Sequence, residues 1–381
     1  MVIMPYKTIG IIGGGQLGRM MCLAAKAMGY YVAVLDPTQN CPCGQVADIE
    51  ITANYNDMEA VRKLAKVSDV ITYEFENIDC DALTYLERHA YLPQGSSVLQ
   101  ISQHRYREKT AIKDMGIQVP KFRLIDGVRC LEENVFYPSV LKTTTGGYDG
   151  KGQAVLKTKE DLAKAMEIAE RHECILEEWM PFTKEISVIV ARSTQGETAV
   201  FPVAENIHVN NILHKSIVPA RISGELEERA VDHALKIANG LDSIGILAIE
   251  MFVVPGQSGE EIYINEIAPR PHNSGHYTMD ACVTGQFEQH VRAVCGLPLG
   301  ETRLHTPVVM VNILGDHMDM ELMHNLASYM PLLEKGKLHL YGKAEAKLGR
   351  KMGHVNMLGD IDESLRAIDA GVIWGSSNRT T

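Results

Sequence analysis

Apolar runs alternate with glycine turns and amphipathic stretches through the first part of the chain. Residues 8–36 read T-I-G-I-I, then G-G-G-Q-L-G-R-M-M-C-L-A-A-K-A-M-G, then Y-Y-V-A-V-L-D. This pattern predicts a strand, a glycine turn, a helix and a second strand. A strand near Ile49, a helix over 56–67 and a strand over 70–77 continue the series. Strands that alternate with helices in this way indicate an α/β domain with a parallel sheet.

The pattern of apolar and polar positions changes twice further along the chain. Residues 101–115 read as a helix with a basic face that ends at Gly116, and a small segment with an apolar strand at 174–180 follows. From Phe182 onward the pattern is rich in strands. Further helices are predicted over 159–171, 225–241 and 279–295. With 381 residues, the chain suits two or three domains.

A hairpin with two carboxylates is the clearest feature of the second half. Two apolar runs flank P-G-Q-S-G, and folding about Ser258 places Glu250 opposite Glu266 on one face. Directly opposed like charges destabilise a sheet, so the pair indicates a cation held between them. Oxygen ligands favour Mg²⁺ completed by substrate phosphates and water. The alternative is two glutamates that are separately solvated on an exposed face.

A glycine-rich loop follows a short apolar strand in the stretch V-L-K-T-T-T-G-G-Y-D-G-K-G-Q over 140–153. Without side chains at Gly146, Gly147, Gly150 and Gly152, successive backbone amides can close over an anion. Lys142 on the preceding strand would place an ammonium near the same charge. The loop therefore predicts a polyphosphate site, although a flexible turn between two strands is the simpler alternative.

Composition and charge exclude several classes of protein. The chain is 45% hydrophobic and 22% charged, and its net charge of −11 argues against a nucleic-acid surface. We find no apolar run long enough for a membrane span and no signal-peptide pattern, and expect a cytoplasmic enzyme with reduced cysteines. Basic residues nevertheless cluster near the C-terminus, which favours either a solvated face or a pocket for an anionic substrate. They are Lys343, Lys347, Arg350 and Lys351.

The first glycine turn allows a different hypothesis. Gly13, Gly15 and Gly18 fit the pattern G-x-G-x-x-G, and Asp36 follows where a dinucleotide fold places its ribose-binding acid. Alone, this stretch would predict a nicotinamide-binding oxidoreductase or a non-catalytic dinucleotide sensor. That hypothesis leaves the glycine loop and the carboxylate pair unexplained. A helix start that favours anions is expected under either interpretation.

Five motifs carry a resemblance to a known family: G-G-G-Q-L-G-R-M, Y-E-F-E-N, G-G-Y-D-G-K-G-Q, N-E-I-A-P-R-P-H-N-S-G-H and G-R-K-M-G-H. With them the chain resembles the ATP-grasp superfamily and, within it, the 5-(carboxyamino)imidazole ribonucleotide synthase family. The resemblance implies an α/β ATP-grasp fold with a Rossmann-like pre-ATP-grasp domain, a small central lid domain and a larger α+β domain. We expect these domains over 1–104, 105–181 and 182–381.

The resemblance also implies a reaction. ATP, bicarbonate and 5-aminoimidazole ribonucleotide would give the carbamate at the exocyclic amine, with ADP and phosphate, through carboxyphosphate and with Mg²⁺. The step belongs to de novo purine biosynthesis, and relatives suggest a homodimer that passes its product to the mutase of the same pathway. Another ATP-grasp ligase, of the peptide type or a formate-using transformylase, is the alternative among enzymes. The segment G-R-K-M-G-H and the absence of a biotinylation lysine motif argue against it.

The resemblance assigns the site residues, and its metal ligands match the hairpin pair Glu250 and Glu266. The ATP-binding residues would be Arg105, Lys142, Gly147, Tyr148, Asp149, Gly150, Lys151, Gly152, Gln153, Glu177, Glu178, Trp179, Met180, Glu185, His208, Asn265 and Glu266. The backbone from Glu177 to Met180 would read the base, and Glu185 would accept the ribose hydroxyls. The ribonucleotide would contact Gln16, Leu17, Glu76, Tyr148, Lys343, Arg350 and Lys351. The catalytic residues would be Arg270, His272, Asn273, Tyr148 and Asp149, with Arg270 on bicarbonate or carboxyphosphate.

Overall fold

Three β-sheets organise the chain and bring the predicted site residues together. The structure, a computed structural model, describes residues 1–147, 152–257, 259–315 and 333–369. Within these ranges no helix combines the length and the apolar character needed to span a lipid bilayer. The predicted α/β class, with a small central sheet and a larger C-terminal one, is confirmed.

The N-terminal sheet consists of four parallel strands. Its strands are β1 (Thr8–Ile12), β2 (Tyr31–Asp36), β3 (Ile49–Thr52) and β4 (Val70–Tyr73), and its helices are α1 (Gln16–Ala27), α2 (Met58–Val67) and α3 (Cys80–His89). The strand order is β3-β2-β1-β4, so β1 is flanked on both sides, and its last four residues are buried. After β1 the chain turns at Gly13, whose φ of +100° strains any residue with a side chain.

Two short helices connect this sheet to a second, antiparallel one. The helices are α4 (Ser97–Ser102) and α5 (Arg105–Asp114), and the sheet comprises β5 (Phe122–Ile125), β6 (Ser139–Thr143), β7 (Gln153–Leu156) and β8 (Cys174–Glu178) with α6 (Val128–Asn134) and α7 (Leu162–Ala169). The strand order is β5-β8-β6-β7. Leu141 and Leu176 on the central strands are fully buried against the helices. The glycine loop lies between β6 and β7.

The third sheet is the largest, with nine strands in the described ranges. Its strands are β9 (Lys184–Arg192), β10 (Thr198–Val200), β11 (Ala204–Val209), β12 (Ile212–Val218), β13 (Gly245–Gly256), β14 (Gly259–Ala268), β15 (Val308–Leu314), β16 (Gly336–Leu340) and β17 (Lys351–Leu358). Its helices are α8 (Gly224–Gly240), α9 (Thr278–Ala281), α10 (Gln286–Cys295) and α11 (Ile361–Asp369). The order β14-β13-β9-β11-β12-β15-β17-β16, with β10 beside β9, makes β14 an edge strand.

The predicted pair of Glu250 and Glu266 in the hairpin is confirmed, whereas the register next to the turn differs by one residue from a fold about Ser258. β13 and β14 pair antiparallel, and Glu250 is the partner of Glu266. Just beyond this pair the register shifts, because Met251 pairs with Ile264 and leaves Asn265 as an extra residue on β14. This β-bulge bends the strand next to the two carboxylates.

The strand predicted over 70–77 is too long, because β4 ends at Tyr73. The Glu74 side chain leaves the sheet face and accepts hydrogen bonds from the amides of Gly15 and Gly18, each at 2.5 Å. Glu74 and Glu76 therefore lie in the segment that follows the strand and have different surroundings, contrary to the shared face expected from their parity.

Two predicted helices are interrupted. The helix over 101–115 breaks at Gln103 and His104, where His104 has extended backbone angles. The Gln103 side chain donates to the carbonyls of Glu76 and Ile78, which ties the break to the segment that follows β4. The helix over 279–295 divides into α9 and α10. The helices predicted over 56–67 and 159–171 are confirmed with shorter bounds as α2 and α7, and the helix predicted over 225–241 is confirmed as α8, shifted by one residue.

Candidate active site

A cavity of about 620 Å³ is lined by residues of the second and third sheets, by the start of α1 and by the segment that follows β4. Most of the predicted site residues lie on its wall. They are Gln16, Leu17, Glu76, Arg105, Lys142, Gly147, Gly152, Gln153, Glu177, Glu178, Trp179, Met180, Glu185, His208, Glu250, Asn265, Glu266, Arg270, His272, Asn273 and Lys351. Lys343 and Arg350 do not line this cavity. The predictions for Tyr148, Asp149, Gly150 and Lys151 fall outside the described residues.

The two hairpin carboxylates differ in their affinity for a proton. Burial and the charge of Glu266 raise the pKa of Glu250 to about 7, although the nearby His208 imidazole opposes this shift. Burial also opposes ionisation of Glu266, but the Arg105 guanidinium outweighs it and holds the pKa of Glu266 below its ordinary value. A carboxylate pair that tends to take up a proton is also suited to a divalent cation, which would replace that proton.

The donor set fits magnesium better than a metal enclosed by protein. Across the described ranges, no group of three or more His, Cys, Asp or Glu side chains could hold a metal ion. Magnesium needs no such group, because one or two carboxylates together with phosphates and water complete its coordination. Glu250 and Glu266 therefore fit this ion if a nucleotide supplies the phosphates.

Arg105 joins the hairpin to the glycine loop. Its Nη1 donates to Oε2 of Glu266 at 3.0 Å, and its Nη2 donates to the carbonyl of Gly147 at 3.0 Å. A guanidinium has five donors in a planar arrangement, so it can hold the strand and the loop at once. Arg105 thus lies between the two elements that are expected to hold the phosphates, and its predicted contact with the nucleotide agrees with this position.

Lys142 faces the cavity from β6 with a carboxylate beside it. Its Nζ donates to Oε2 of Glu177 at 2.7 Å. Burial by itself would raise the pKa of Glu177, but the ammonium groups of Lys109 and Lys142 reverse this effect and lower it to about 2. Glu177 is therefore ionised at any physiological pH.

Two backbone amides in the segment 177–180 already donate hydrogen bonds within the protein. The amide of Glu178 donates to the carbonyl of Lys121 at 2.8 Å, and the amide of Trp179 donates to the carbonyl of Pro138 at 3.2 Å. Neither amide can donate to a base at the same time without losing these bonds. Reading of the base by the backbone from Glu177 to Met180 stays a prediction, which would use other backbone groups of this segment than these two amides.

His208 and Glu185 contact each other on the wall of the cavity. Nδ1 of His208 is within hydrogen-bond distance of Oε2 of Glu185. Burial opposes the imidazolium, yet the hydrogen bond and charge of Glu185 prevail and raise the pKa of His208. In this arrangement His208 orients the carboxylate that was predicted to accept the ribose hydroxyls.

Two stacked phenylalanines next to this pair were not predicted. The rings of Phe182 and Phe252 lie 4.6 Å apart between centroids and are inclined by 8°. Both residues line the cavity. Phe252 lies two residues after Glu250 on β13, so the alternation of a strand places both on one face. The spacing of two residues between Glu250 and Phe252 is visible in the sequence and could have identified Phe252 as a residue of the site.

Arg270 contacts Glu76 in the segment that follows β4. Its Nη2 lies 2.9 Å from Oε1 of Glu76, and its Nε is buried without a hydrogen-bond partner in the described part of the chain. A buried unpaired donor is costly, so this Nε is suited to an anion in the cavity. The structure thus brings together two residues that were predicted for bicarbonate and for the ribonucleotide.

His272 and Asn273 are held by neighbouring side chains. Burial, aided by the charge of Arg270, lowers the pKa of His272 well below its ordinary value, so the ring is neutral. Its Nε2 lies 3.4 Å from Oε1 of Glu250. Asn273 exchanges two hydrogen bonds with Asn312, at 2.9 and 2.6 Å, which fixes its amide.

The first glycine turn holds carboxylates of the protein itself. Glu74 accepts from the amides of Gly15 and Gly18 at the start of α1. Asp36 accepts from the amide of Gly14 at 2.7 Å and from the hydroxyl of Tyr55 at 2.7 Å. The expected helix start that favours anions is thus occupied by Glu74, and the expected ribose acid is engaged elsewhere. Both features argue against a nicotinamide dinucleotide at this turn.

The four basic residues near the C-terminus differ in their position relative to the cavity. Lys351 lines the cavity, whereas Nζ of Lys343 donates to the carbonyl of Lys351 at 2.6 Å. Arg350 donates to the carbonyl of Glu345 at 3.0 Å, and Lys347 pairs with Glu345 at 2.9 Å. Of the four residues, Lys351 has the most direct access to a ligand in the cavity.

The chain is similar to known proteins over nearly its whole length. A model of the ATP-grasp domain matches residues 110–287, the ribonucleotide synthetase preATP-grasp domain matches residues 6–103, and the phosphoribosylaminoimidazole carboxylase C-terminal domain matches residues 308–368. The N5-carboxyaminoimidazole ribonucleotide synthase of Bacillus subtilis (strain 168) is 54% identical over 360 residues, which cover 94% of this chain and 93% of that protein.

Solved structures agree with this similarity. An ADP complex of an N5-carboxyaminoimidazole ribonucleotide synthetase is 59% identical, with a TM-score of 0.94 and coverage of 99% of both chains. The N5-carboxyaminoimidazole synthase of Aspergillus clavatus, in complex with ADP and 5-aminoimidazole ribonucleotide, is 30% identical with a TM-score of 0.87. The similarity covers 96% of this chain and 98% of that one.

Proposed function

The chain belongs to the N5-carboxyaminoimidazole ribonucleotide synthase family of ATP-grasp ligases, and we infer that its cavity carries out that family's reaction. ATP and bicarbonate carboxylate 5-aminoimidazole ribonucleotide at its exocyclic amine, which gives N5-carboxyaminoimidazole ribonucleotide, ADP and phosphate. The product serves purine biosynthesis. The expected membership of the ATP-grasp superfamily is confirmed.

One observation supports this assignment most directly. The ion pair between Arg270 and Glu76 lies on the wall of the same cavity as Lys142, Glu250 and Glu266. Residues predicted for the nucleotide, the anion and the ribonucleotide thus share one space. A reaction that passes a carboxyl group from an activated phosphate to an amine requires such proximity, because a misplacement of 1 Å costs about 100-fold in rate.

For the nucleotide side we propose that Glu250 and Glu266 hold magnesium with the phosphates of ATP. The ion would neutralise phosphate charge during transfer of the γ-phosphoryl group. Lys142 and Arg105 add two further positive groups beside the same phosphates. Phosphoryl transfer depends on such positioning and charge stabilisation more than on covalent help from the protein. The nucleotide roles of Gly147, Gly152, Gln153 and Glu185 stay proposals.

For the reaction itself, bicarbonate is a poor electrophile and needs activation. One of its oxygens attacks the γ-phosphorus of ATP, ADP leaves, and carboxyphosphate forms. The amine nitrogen then bonds to the carbonyl carbon, the bond from that carbon to the phosphate oxygen breaks, phosphate leaves and the amine loses a proton. We propose that Arg270 binds the carboxylate oxygens throughout, because a planar guanidinium pairs with two oxygens at once.

For the ribonucleotide side we propose Gln16, Leu17 and Glu76 beside the sugar and base, with Lys351 on the 5′-phosphate. Lys343 contacts the Lys351 carbonyl and would support that residue, while Arg350 is a further basic group of the same segment. The resemblance adds Tyr148 and Asp149 to the catalytic group. We also propose a cytoplasmic homodimer with domains over 1–104, 105–181 and 182–381, whose product passes to a mutase.

Phosphate release from ATP in bicarbonate buffer, with and without 5-aminoimidazole ribonucleotide, tests the assignment. Strong stimulation by the ribonucleotide is the expected result. A folded protein that binds ATP but shows no stimulation would contradict the assigned acceptor and would favour another phosphorylated amine. Omission of bicarbonate serves as the control, because carboxyphosphate cannot form without it.

A further inference from the structure

Helix α5 meets the edge strand β14 through charged side chains that the mechanism above does not use. Glu108 and Lys109 are neighbours on this helix, and their exposed fractions are only 2% and 1%. Burial of a charged group is costly unless hydrogen bonds and opposite charges compensate for it. Two consecutive charged residues that are buried to this extent therefore indicate a specific structural role.

The first contact is between Lys109 and the bulge of β14. Its Nζ donates to the carbonyl of Ile264 at 3.0 Å and also to the carbonyl of Asn265. Asn265 is the extra residue where the register of the hairpin shifts. A bulge disrupts the ladder locally and leaves backbone groups in need of other partners. Lys109 supplies a partner for two of them.

The second contact lies on the other side of the metal carboxylate. Oε1 of Glu108 accepts a hydrogen bond from the amide of Ile267, the residue that follows Glu266. The segment after α5 adds a third contact, because the amide of Ile264 donates to the carbonyl of Gln118 at 2.9 Å. The outward backbone groups of β14 are thus bonded immediately before and immediately after Glu266.

This pattern matters because β14 is the edge of its sheet. An edge strand has only one neighbouring strand, so its outer amides and carbonyls normally bond to water and its position is less well defined. Around Glu266 the partners are instead buried side chains of a helix. Arg105 on the same helix pairs with the Glu266 carboxylate itself at 3.0 Å.

We propose that Glu108 and Lys109 are positioning residues that fix the bulged strand around Glu266 and so aim its carboxylate at the cation shared with Glu250. This inference rests on the proposed magnesium role of the hairpin. Groups that orient the ligands of a metal typically change its affinity about 10- to 100-fold when they are removed. Such groups change the affinity for the metal ion and leave the affinity for nucleotide without metal largely unchanged.

The test uses Mn²⁺ as a paramagnetic substitute for Mg²⁺, titrated into the full-length protein in the presence of ADP and followed by electron paramagnetic resonance. Lys109→Met keeps the length of the side chain and removes its three donors. We expect it to raise the Kd for Mn²⁺ about 10- to 100-fold. ADP affinity in EDTA and the melting temperature, measured in parallel, separate this effect from a loss of structure.

Two comparisons sharpen the result. Lys113→Met removes an ammonium from an exposed position of the same helix and is expected to leave Mn²⁺ binding unchanged. Glu108→Gln retains an oxygen acceptor for the Ile267 amide and is expected to bind Mn²⁺ more tightly than Glu108→Leu, which has none. In turnover assays, excess Mg²⁺ is expected to restore most of kcat in Lys109→Met.

The possible failures are distinguishable. If Glu266→Gln binds Mn²⁺ as tightly as the unaltered protein, the magnesium assignment itself is wrong and this inference falls with it. If Glu266→Gln loses Mn²⁺ but Lys109→Met and Glu108→Leu retain it, only the positioning role is refuted. If Lys109→Met does not fold, the pair Glu108→Gln and Glu108→Leu decides, and equal Kd values for that pair overturn the proposal.

Discussion

The guanidinium of Arg270 lies 2.9 Å from the carboxylate of Glu76, measured from Nη2 to Oε1. Arg270 comes shortly after β14, which carries Glu266, whereas Glu76 comes shortly after β4 of the N-terminal sheet. The ion pair therefore links the part of the cavity proposed for the nucleotide to the part proposed for the ribonucleotide. An anion that binds to Arg270 would share this guanidinium with Glu76.

Arg270→Ala is expected to lower carboxylation at least about 100-fold, the usual cost of removing one group that stabilises charge in a transition state. ADP affinity is expected to stay the same, because Arg270 is proposed for bicarbonate and carboxyphosphate. Product formation and ADP titration measure the two effects. Arg292→Ala is the matched control, since Arg292 pairs with Glu288 on α10. A loss of ADP affinity in Arg270→Ala would contradict the proposed role.

Binding of magnesium is expected to weaken as the pH falls below 7. The pKa of Glu250 is raised to about 7, by burial and then by Glu266 and Glu185, while His208 and Lys351 oppose the rise. A cation needs the ionised carboxylate, so below this pKa the proton competes with it. If one proton competes with the cation, the half-saturating Mn²⁺ concentration is expected to be about tenfold higher at pH 6 than at pH 8.

Glu250→Gln tests the origin of that pH dependence. The amide cannot ionise, so the variant is expected to bind Mn²⁺ weakly at both pH values and to lose the dependence between them. Turnover at limiting Mg²⁺ is expected to fall with it. Full activity of Glu250→Gln at limiting Mg²⁺ would contradict the carboxylate pair as the metal site.

The parts of the site that depend on local sequence were predictable. The turn residues P-G-Q-S-G mark the hairpin and the apolar runs mark its two strands. The register next to the turn would by itself place Asn265 opposite Glu250, and the bulge at Asn265 restores the expected pair of Glu250 and Glu266. The strand that carries Lys142 and the glycine turn after β1 follow from apolar runs and glycine spacing in the same way. The family motifs supplied most of the remaining site residues.

The parts that depend on distant contacts were not predictable. The stretch 101–115 was expected to be a helix with a basic face, yet Lys109 points into the protein and bonds to a strand 155 residues later in the sequence. Glu74 was expected on a strand face, but its contact with Gly15 and Gly18 depends on the packing of β1 beside β4. Spacing within one element carries no information about such partners.

Lys351→Ala is expected to raise the KM for 5-aminoimidazole ribonucleotide about 10- to 100-fold, since a hydrogen bond between charged groups contributes about 1.5–3 kcal/mol. Lys343→Ala is expected to raise the same KM by a smaller factor, because Lys343 contacts the Lys351 carbonyl and does not line the cavity. Initial rates at varied ribonucleotide and saturating ATP measure both. Unchanged ribonucleotide titrations would remove these residues from the phosphate site.

Glu74→Ala is expected to destabilise the protein by about 2–6 kcal/mol, because the amides of Gly15 and Gly18 would both lose their acceptor, at about 1–3 kcal/mol each. Urea unfolding measures the change in the free energy of unfolding. Glu76→Ala is the matched comparison two residues later. Its ion pair with Arg270 is partly exposed, so its loss is expected to change stability by less than about 1 kcal/mol. Equal stabilities of the two variants would show that the Glu74 carboxylate does not hold the turn.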